Sequence, residues 1–304
     1  MRSALQLIFG CLSLLLWSLV IQAEPLASLP LVPEQFQPQQ LHYQARKLFI
    51  TADTQVQLAR PATQAISSQL AAVAKGQVRQ PDSDAIILTS IQTSVLGRHT
   101  QIKTWMNPDG GILQLESLRT GSKLRYRQYR YLQDQVYSIK RFPANDAEAD
   151  LPSGQWNRTN EDWYPLNGEA VNLPLTEGEG LFYLLAVTDW NAVQDQHQVY
   201  LFDPDGIIEL RLILRGLKSI QVDYQLIGAD GTRQRVKGSV KAQQVQVEAG
   251  PWQGKGEPGN FDFLGFKGNL NLFVDPQQRL VLLMRGDVDV VGELDVRLQK
   301  VDYR

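Results

Sequence analysis

The sequence predicts a mainly β protein with antiparallel pairing and one main helix. Three observations carry this. Apolar and polar residues alternate with period two in many short runs, among them "TQVQLA", "SIQVDYQLIG" and "ELDVRLQKVDY". Alternate side chains of a strand share a face, so such runs make one face greasy and the other wet. Turn-forming residues separate the runs, as in "NPDGG", "DPDG" and "ADGT", the chemistry of short hairpin loops. Only "EGEGLFYLLAVTDWN" has clear helical spacing, with Leu181, Leu184, Leu185 and Thr188 on one face, which predicts a helix at about 178–189.

The chain has 304 residues, 43% hydrophobic and 20% charged, enough for a packed core and unlike a disordered chain. The formal net charge of −2 lacks the basic footprint of a nucleic-acid binder. Arg2 precedes an apolar run from Ala4 to Ile21, closed by Ala23. A positive start, an apolar run and a small residue read as a signal peptide over 1–23, cut before Glu24. The rival is an uncleaved anchor that barely spans a bilayer; membrane association is expected only through it. Cys11, the only cysteine, lies inside the run rather than after it, unlike a lipoprotein acceptor. The exported part then has neither a disulfide nor a thiolate metal site.

Residues 24–40, "EPLASLPLVPEQFQPQQ", hold four prolines and read as a Pro-rich linker or loose arm. A single β-rich domain is expected from 41 to 304. In "ATQAISSQLAAVAKG", Ile66, Leu70 and Val73 have helical spacing in a Ser/Thr-rich context, and helix and loop both remain open. From Ala85 onward strands and turns alternate until about 143–177, a polar, proline-containing stretch that reads as a long loop. Loops of this length are functional or disordered. Strands resume at "HQVYLFD" and run to the C-terminus. No repeat of fixed period is visible.

The export signal, the "LHYQA" opening strand, the "LFYLLA" helix and the ending "VDPQQRL"…"GELDVRL" resemble the DUF3108 family of bacterial envelope proteins. The similarity covers the second half of the chain well and the first half loosely, and Val281 stands where such proteins often have proline. The resemblance implies a periplasmic location and a lipoprotein-carrier-like fold. That fold is a curved antiparallel sheet or open barrel, with the helix as plug or lid and an apolar concave side. It implies no settled activity.

Candidate chemistry falls in three places. "RGDVDVVGELDVRL" brings Asp287, Asp289, Glu293 and Asp295 close in sequence. Their strand alternation leaves Val288, Val290, Leu294 and Val296 on the opposite side, so the acids read as a solvated face rather than a metal or catalytic cluster. In "KLRYRQYRYL", Lys123, Arg125, Arg127, Tyr129 and Tyr131 share one face. This cationic and aromatic stripe suits an anionic group held by guanidinium forks. The bland alternative is an outer face paired with acids such as Glu116. Trp163 and Trp190, with Trp156 and Tyr164, lie in or beside the long loop and helix end, where aromatics serve as ligand contacts or as core anchors.

The ligand-binding candidates are therefore Arg125, Arg127, Tyr129, Trp163 and Trp190. No catalytic residue, metal site or cofactor is expected: His42, His99 and His197 lack metal-ligand spacing, and no nucleophile motif occurs. The primary reading is a non-enzymatic envelope protein that binds an apolar or lipid-like ligand, or an envelope protein as partner chain, on a concave sheet. The alternatives are a glycan hydrolase with acids among Asp189, Asp287, Asp289 and Glu293, and an assembly scaffold.

Overall fold

A computed structural model of the chain describes residues 27–47, 50–82, 86–95, 97–121, 123–254, 261–267, 269–289 and 292–304. The signal segment, Cys11, Val290 and Val291 lie outside the described residues. The strands are β1 (Ala27–Ser28), β2 (Gln39–Lys47), β3 (Ile50–Ala59), β4 (Ile87–Val95), β5 (Arg98–Met106), β6 (Ile112–Thr120), β7 (Arg125–Tyr131) and β8 (Gln135–Phe142). They continue with β9 (Arg158–Pro165), β10 (Leu175–Thr176), β11 (Gln196–Asp203), β12 (Gly206–Ile227), β13 (Arg233–Pro251), β14 (Leu270–Val274), β15 (Val281–Val288) and β16 (Gly292–Tyr303). Three α-helices are present among the described residues: α1 (Thr63–Ser67), α2 (Asp146–Ala149) and α3 (Leu181–Val187).

All sixteen described strands belong to one sheet, ordered β1-β11-β12-β13-β14-β15-β16-β2-β3-β4-β5-β6-β7-β8-β9, with β10 also on β11. Most sequence neighbours pair antiparallel, many of them across short turns such as those between β4 and β5 or β7 and β8; β10 instead pairs parallel with β11. Two meanders, β2 to β9 and β11 to β16, join where β16 pairs with β2. The hairpin of β12 and β13 is long and bends at a register shift between Leu214 and Leu217, where Gly216 takes a positive φ of 96°. The far end of β12 returns to pair parallel with β16, Gln225 opposite Lys300. This closes β12 to β16 into a small ring. At the other end Phe202 of β11 packs its ring on Tyr129, Tyr131 and Tyr164, so the sheet's two ends meet through side chains. The result is mainly β, as the alternation predicts, and strongly curved and barrel-like, as the family resemblance implies.

α3 is the plug. All seven of its residues are buried, as befits a helix that is apolar all round. Phe182 packs between Tyr43 and Phe263, with ring centroids 5.7 and 5.4 Å away. The Tyr183 hydroxyl donates to the Pro108 carbonyl at 2.7 Å. The helix ends at Thr188, whose hydroxyl donates back to the Leu184 carbonyl at 2.6 Å. Helical spacing predicted 178–189; residues Gly178–Gly180 instead form a 3-10 turn that leads into the helix.

Two stretches depart from the sequence reading, and a third, which it left open, takes a mixed form. The Pro-rich arm docks: Phe36 is buried and packs edge-on against Tyr183 at 5.4 Å, and the Val32 amide donates to the Val187 carbonyl at 2.7 Å. Residues 143–177 contain α2, the edge strand β9 and the short β10 rather than loop throughout. The ambiguous 62–75 stretch is helical only over α1, and it covers the outer side of the sheet. There Ile66, Ile86, Trp105 and Leu113 make a second, smaller core. Arg130, only 3% exposed, ties that cover down by donating to the carbonyls of Ala71, Leu113 and Arg79. A buried guanidinium is tolerable when its donors are met in this way.

Candidate functional site

A cavity of 560 Å³ opens on the concave side, between β4–β7, the turn before α3, the end of β11 and residues 261–265. Strand register builds its wall in rows. Arg119 stands opposite Arg125, Ser117 opposite Arg127 and Leu115 opposite Tyr129; Thr100 stands beside Arg119 and Ile102 beside Ser117. Arg125, Arg127, Tyr129 and Tyr131 fall at alternate positions of one strand and point the same way. The first two are half-buried and the last two buried, so the wall grades from cationic at the rim to aromatic at the floor.

The stripe read from the sequence is therefore on the inner face, not on the wet outer face of the bland alternative. Glu116, its supposed partner, lies on the opposite side and accepts from Gln114 and Gln128 at 2.9 and 3.1 Å. The ambiguity was physical: neither face of "KLRYRQYRYL" is purely apolar, and Arg130 on the other face is buried too.

The electrostatics of the cavity are unusual for a barrel interior. Arg98, Arg119, Arg125 and Arg127 all line it, and none forms a side-chain ion pair among the described residues. Burial, with Arg127 and Arg119 alongside, holds the Arg125 guanidinium below its ordinary value. Arg127 lies 4.9 Å over the Tyr129 ring, a cation–π contact, and its Nε is buried without a partner among the described residues. Burial pushes the Tyr129 hydroxyl up to about 12.

Facing these groups are Glu177, Glu179, Asp203 and Asp262. Burial, and then the charge of Glu179, push the Glu177 carboxyl up to about 8, although Tyr131 donates to it at 2.6 Å. Burial also raises Glu179. Near neutrality Glu177 is mostly protonated and can donate a hydrogen bond. Apolar side chains complete the pocket: Ile102, Leu115, Phe202, Ile208, Phe261 and Leu264.

Of the five ligand-binding candidates, Arg125, Arg127 and Tyr129 come together in this cavity and the two tryptophans do not line it. Trp163, paired with Tyr137 across β8 and β9, lies on the outer face. It packs against Tyr137 at 4.6 Å, with the Lys75 ammonium 4.5 Å from its ring. Trp190 follows α3 and packs against His197 at 5.2 Å. Trp156 is a core anchor whose indole donates to the Leu151 carbonyl. Sequence reasoning missed Arg98, Arg119 and the two glutamates. Arg119 alternates with Leu115 and Ser117 in "ILQLESLR" and was within reach of a period-two reading. Glu177 and Glu179 read only as the polar lead-in to a helix.

The acids of the C-terminal hairpin do not converge. Asp287 and Glu293 are exposed and face each other across β15 and β16. Asp289 pairs with Lys267 at 2.5 Å, and Asp295 sits between Arg285 and Arg297, which hold its carboxyl below the usual range. Asp189 pairs with Arg279 at 3.3 Å. Among the described residues no group of three His, Asp or Glu side chains is placed to hold a metal ion, and no helix is long and apolar enough to cross a membrane.

No protein-family model matches the sequence, and no curated protein matches it; the DUF3108 resemblance finds no counterpart there. Among solved structures, the crystal structure of a beta-barrel-like protein of domain of unknown function DUF1849 from Brucella abortus is similar at a TM-score of 0.46 and 11% identity. The match covers 88% of this chain and 98% of that one.

Proposed function

We propose that the protein is an exported, non-enzymatic envelope protein that binds a small anionic amphiphile in the arginine-lined cavity. The observation that carries this reading is the set of four arginines, without ion pairs among the described residues, above an aromatic and aliphatic floor. Guanidinium groups left without carboxylates suit phosphate or carboxylate, which they grip with charge-assisted, forked hydrogen bonds. The protonated Glu177 adds a donor rather than a repelling charge. The floor accepts an apolar tail, and the volume lies within the usual range of ligand pockets, about 300–1,000 Å³. A wholly apolar molecule leaves the arginines unsatisfied, so of the expected ligands the lipid-like one with an anionic head group is favoured.

A fluorescence titration with anilinonaphthalene sulfonate, competed by dodecanoate, dodecyl phosphate and dodecanol, tests it. The two anions displace the reporter and the alcohol does not. Arg125→Gln with Arg127→Gln weakens both anions at least tenfold, since each charged hydrogen bond is worth about 1.5–3 kcal/mol. Equal competition by dodecanol refutes the role given to the arginines.

A second reading has one observation in its favour. Glu177 and Glu179 share a cavity, so the paired carboxylates of an envelope-glycan hydrolase would be these and not Asp189, Asp287, Asp289 or Glu293. Release of reducing sugar ends from peptidoglycan, abolished by Glu177→Gln, would support it; no release sets it aside.

A further inference from the structure

The end of the barrel beyond the C-terminus of α3 holds a second hollow, of 510 Å³, with a different chemistry. The two lie at opposite ends of the plug: Gly178 and Glu179, just before α3, line the charged cavity, whereas Ala186 near its end lines this one. Two glutamine-rich pieces of sequence meet there. "QFQPQQ" of the docked arm contributes Gln35, Gln37 and Gln39 at alternate positions, and the "DPQQR" turn contributes Gln277 and Gln278. Neither piece has a role in the anion reading.

We propose that this amide-lined hollow binds a neutral, hydroxyl-rich ligand, a sugar unit of an oligosaccharide. Each glutamine side chain offers both a donor and an acceptor, which matches a ring bearing several hydroxyl groups. Among the described residues the lining has no carboxylate or lysine. Its one charged residue, Arg279, is already spent: it donates to the Thr188 carbonyl at 3.0 Å and to Asp189 at 3.3 Å. An ionic ligand thus finds no free counter-charge, while a neutral one faces no desolvated charge.

Two further features fit a sugar. Tyr303, opposite Gln39 in the β16–β2 register, and Leu226 line the hollow and offer an apolar surface to the C–H face of a sugar ring. Gln39, only 4% exposed, keeps its Oε1 buried without a hydrogen-bond donor. An unmet buried acceptor is costly. The last torsion of a glutamine side chain is broad, so a modest turn presents that oxygen to an incoming hydroxyl. A peptide backbone is also neutral and also pairs with amides, but the cross-strand tyrosine and the clustered donors favour a sugar ring over an extended chain.

Saturation-transfer NMR on the purified protein tests the proposal with maltotriose, chitotriose and an acetyl-tetraserine amide as probes. At least one saccharide gives transfer and the peptide does not. Gln37→Ala with Gln278→Ala, both at exposed positions, lowers saccharide affinity at least tenfold while anilinonaphthalene sulfonate still binds at the other end. Gln39→Leu, which removes the buried acceptor at similar size, does the same. Arg125→Gln with Arg127→Gln leaves the saccharide signal intact, which separates this site from the anion cavity. The proposal is overturned if neither saccharide gives transfer, if the peptide alone does, or if the signal survives both glutamine variants.

Discussion

Replacing Glu177 with Gln tests the electrostatics of the anion cavity through stability alone. In the folded chain the carboxyl ionises near 8, against an ordinary 4.5 in the unfolded chain. Between these values the folded state keeps a proton that the unfolded state has released. The stability it contributes is full below 4.5, falls as pH rises, and is lost once pH passes about 8. Each pH unit in this window is worth about 1.4 kcal/mol, which sets a ceiling of about 5 kcal/mol. Glu177 lines the open cavity and is half-buried, so screening leaves about half of that, roughly 2–3 kcal/mol, as the working figure. The amide of Gln never ionises, and its carbonyl still accepts from the Tyr131 hydroxyl. Urea denaturation of both proteins from about pH 5 to about pH 9 gives the difference in stability, in which titrating groups distant from Glu177 cancel, leaving Glu177 and the neighbour Glu179 whose charge acts on it. The variant gains on the wild type by roughly 2–3 kcal/mol across the window, and the gain levels off above about pH 8. A difference that stays constant with pH refutes the reasoning, because a merely steric effect of the substitution has no such window.

Other outcomes follow from the same geometry. Binding of dodecyl phosphate weakens as pH rises through about 8, the value at which Glu177 turns from donor to repelling anion, and isothermal titration with Glu177→Gln shows no such step. Phe182→Ala empties the centre of the plug, where the ring is 2% exposed; urea denaturation registers a loss of about 3–5 kcal/mol. Asp295→Asn breaks the forked contact from Arg285 and the contact from Arg297, but the arginines are partly exposed, so the same assay reads no more than about 1 kcal/mol. Asp287→Asn with Glu293→Gln changes stability by less than about 0.5 kcal/mol, as expected of a solvated face.

Much of the fold was legible because period-two alternation is a direct image of a sheet with one buried side. In "ELDVRLQKVDY" Val296 and Leu298 are buried at alternate positions of β16, and a register shift between Leu298 and Lys300 then brings Val301 to the core. The helix was legible for a different reason, the helical spacing of Leu181, Leu184 and Leu185, and its role as a plug came from the family resemblance. The facing of β7 was not legible. Tyr129 and Tyr131 are core on one face, Arg130 is buried on the other, and the outer cover that buries Arg130 comes from the distant 62–82 segment. Long-range packing of this type leaves no local trace. The docked arm was hidden similarly: four prolines suggest a linker, while Phe36 finds its partner Tyr183 only in three dimensions. The anion cavity draws its arginines from three strands and its glutamates from the turn before α3, so only the arginines of β7 stood out in a single run of sequence.

Native mass spectrometry of the protein released gently from its own envelope tests the central claim most directly. The account predicts a population carrying one small adduct, which fragments to an anionic amphiphile and disappears in the Arg125→Gln, Arg127→Gln protein. A protein that flies bare from every preparation, or an adduct equally retained by that variant, contradicts it.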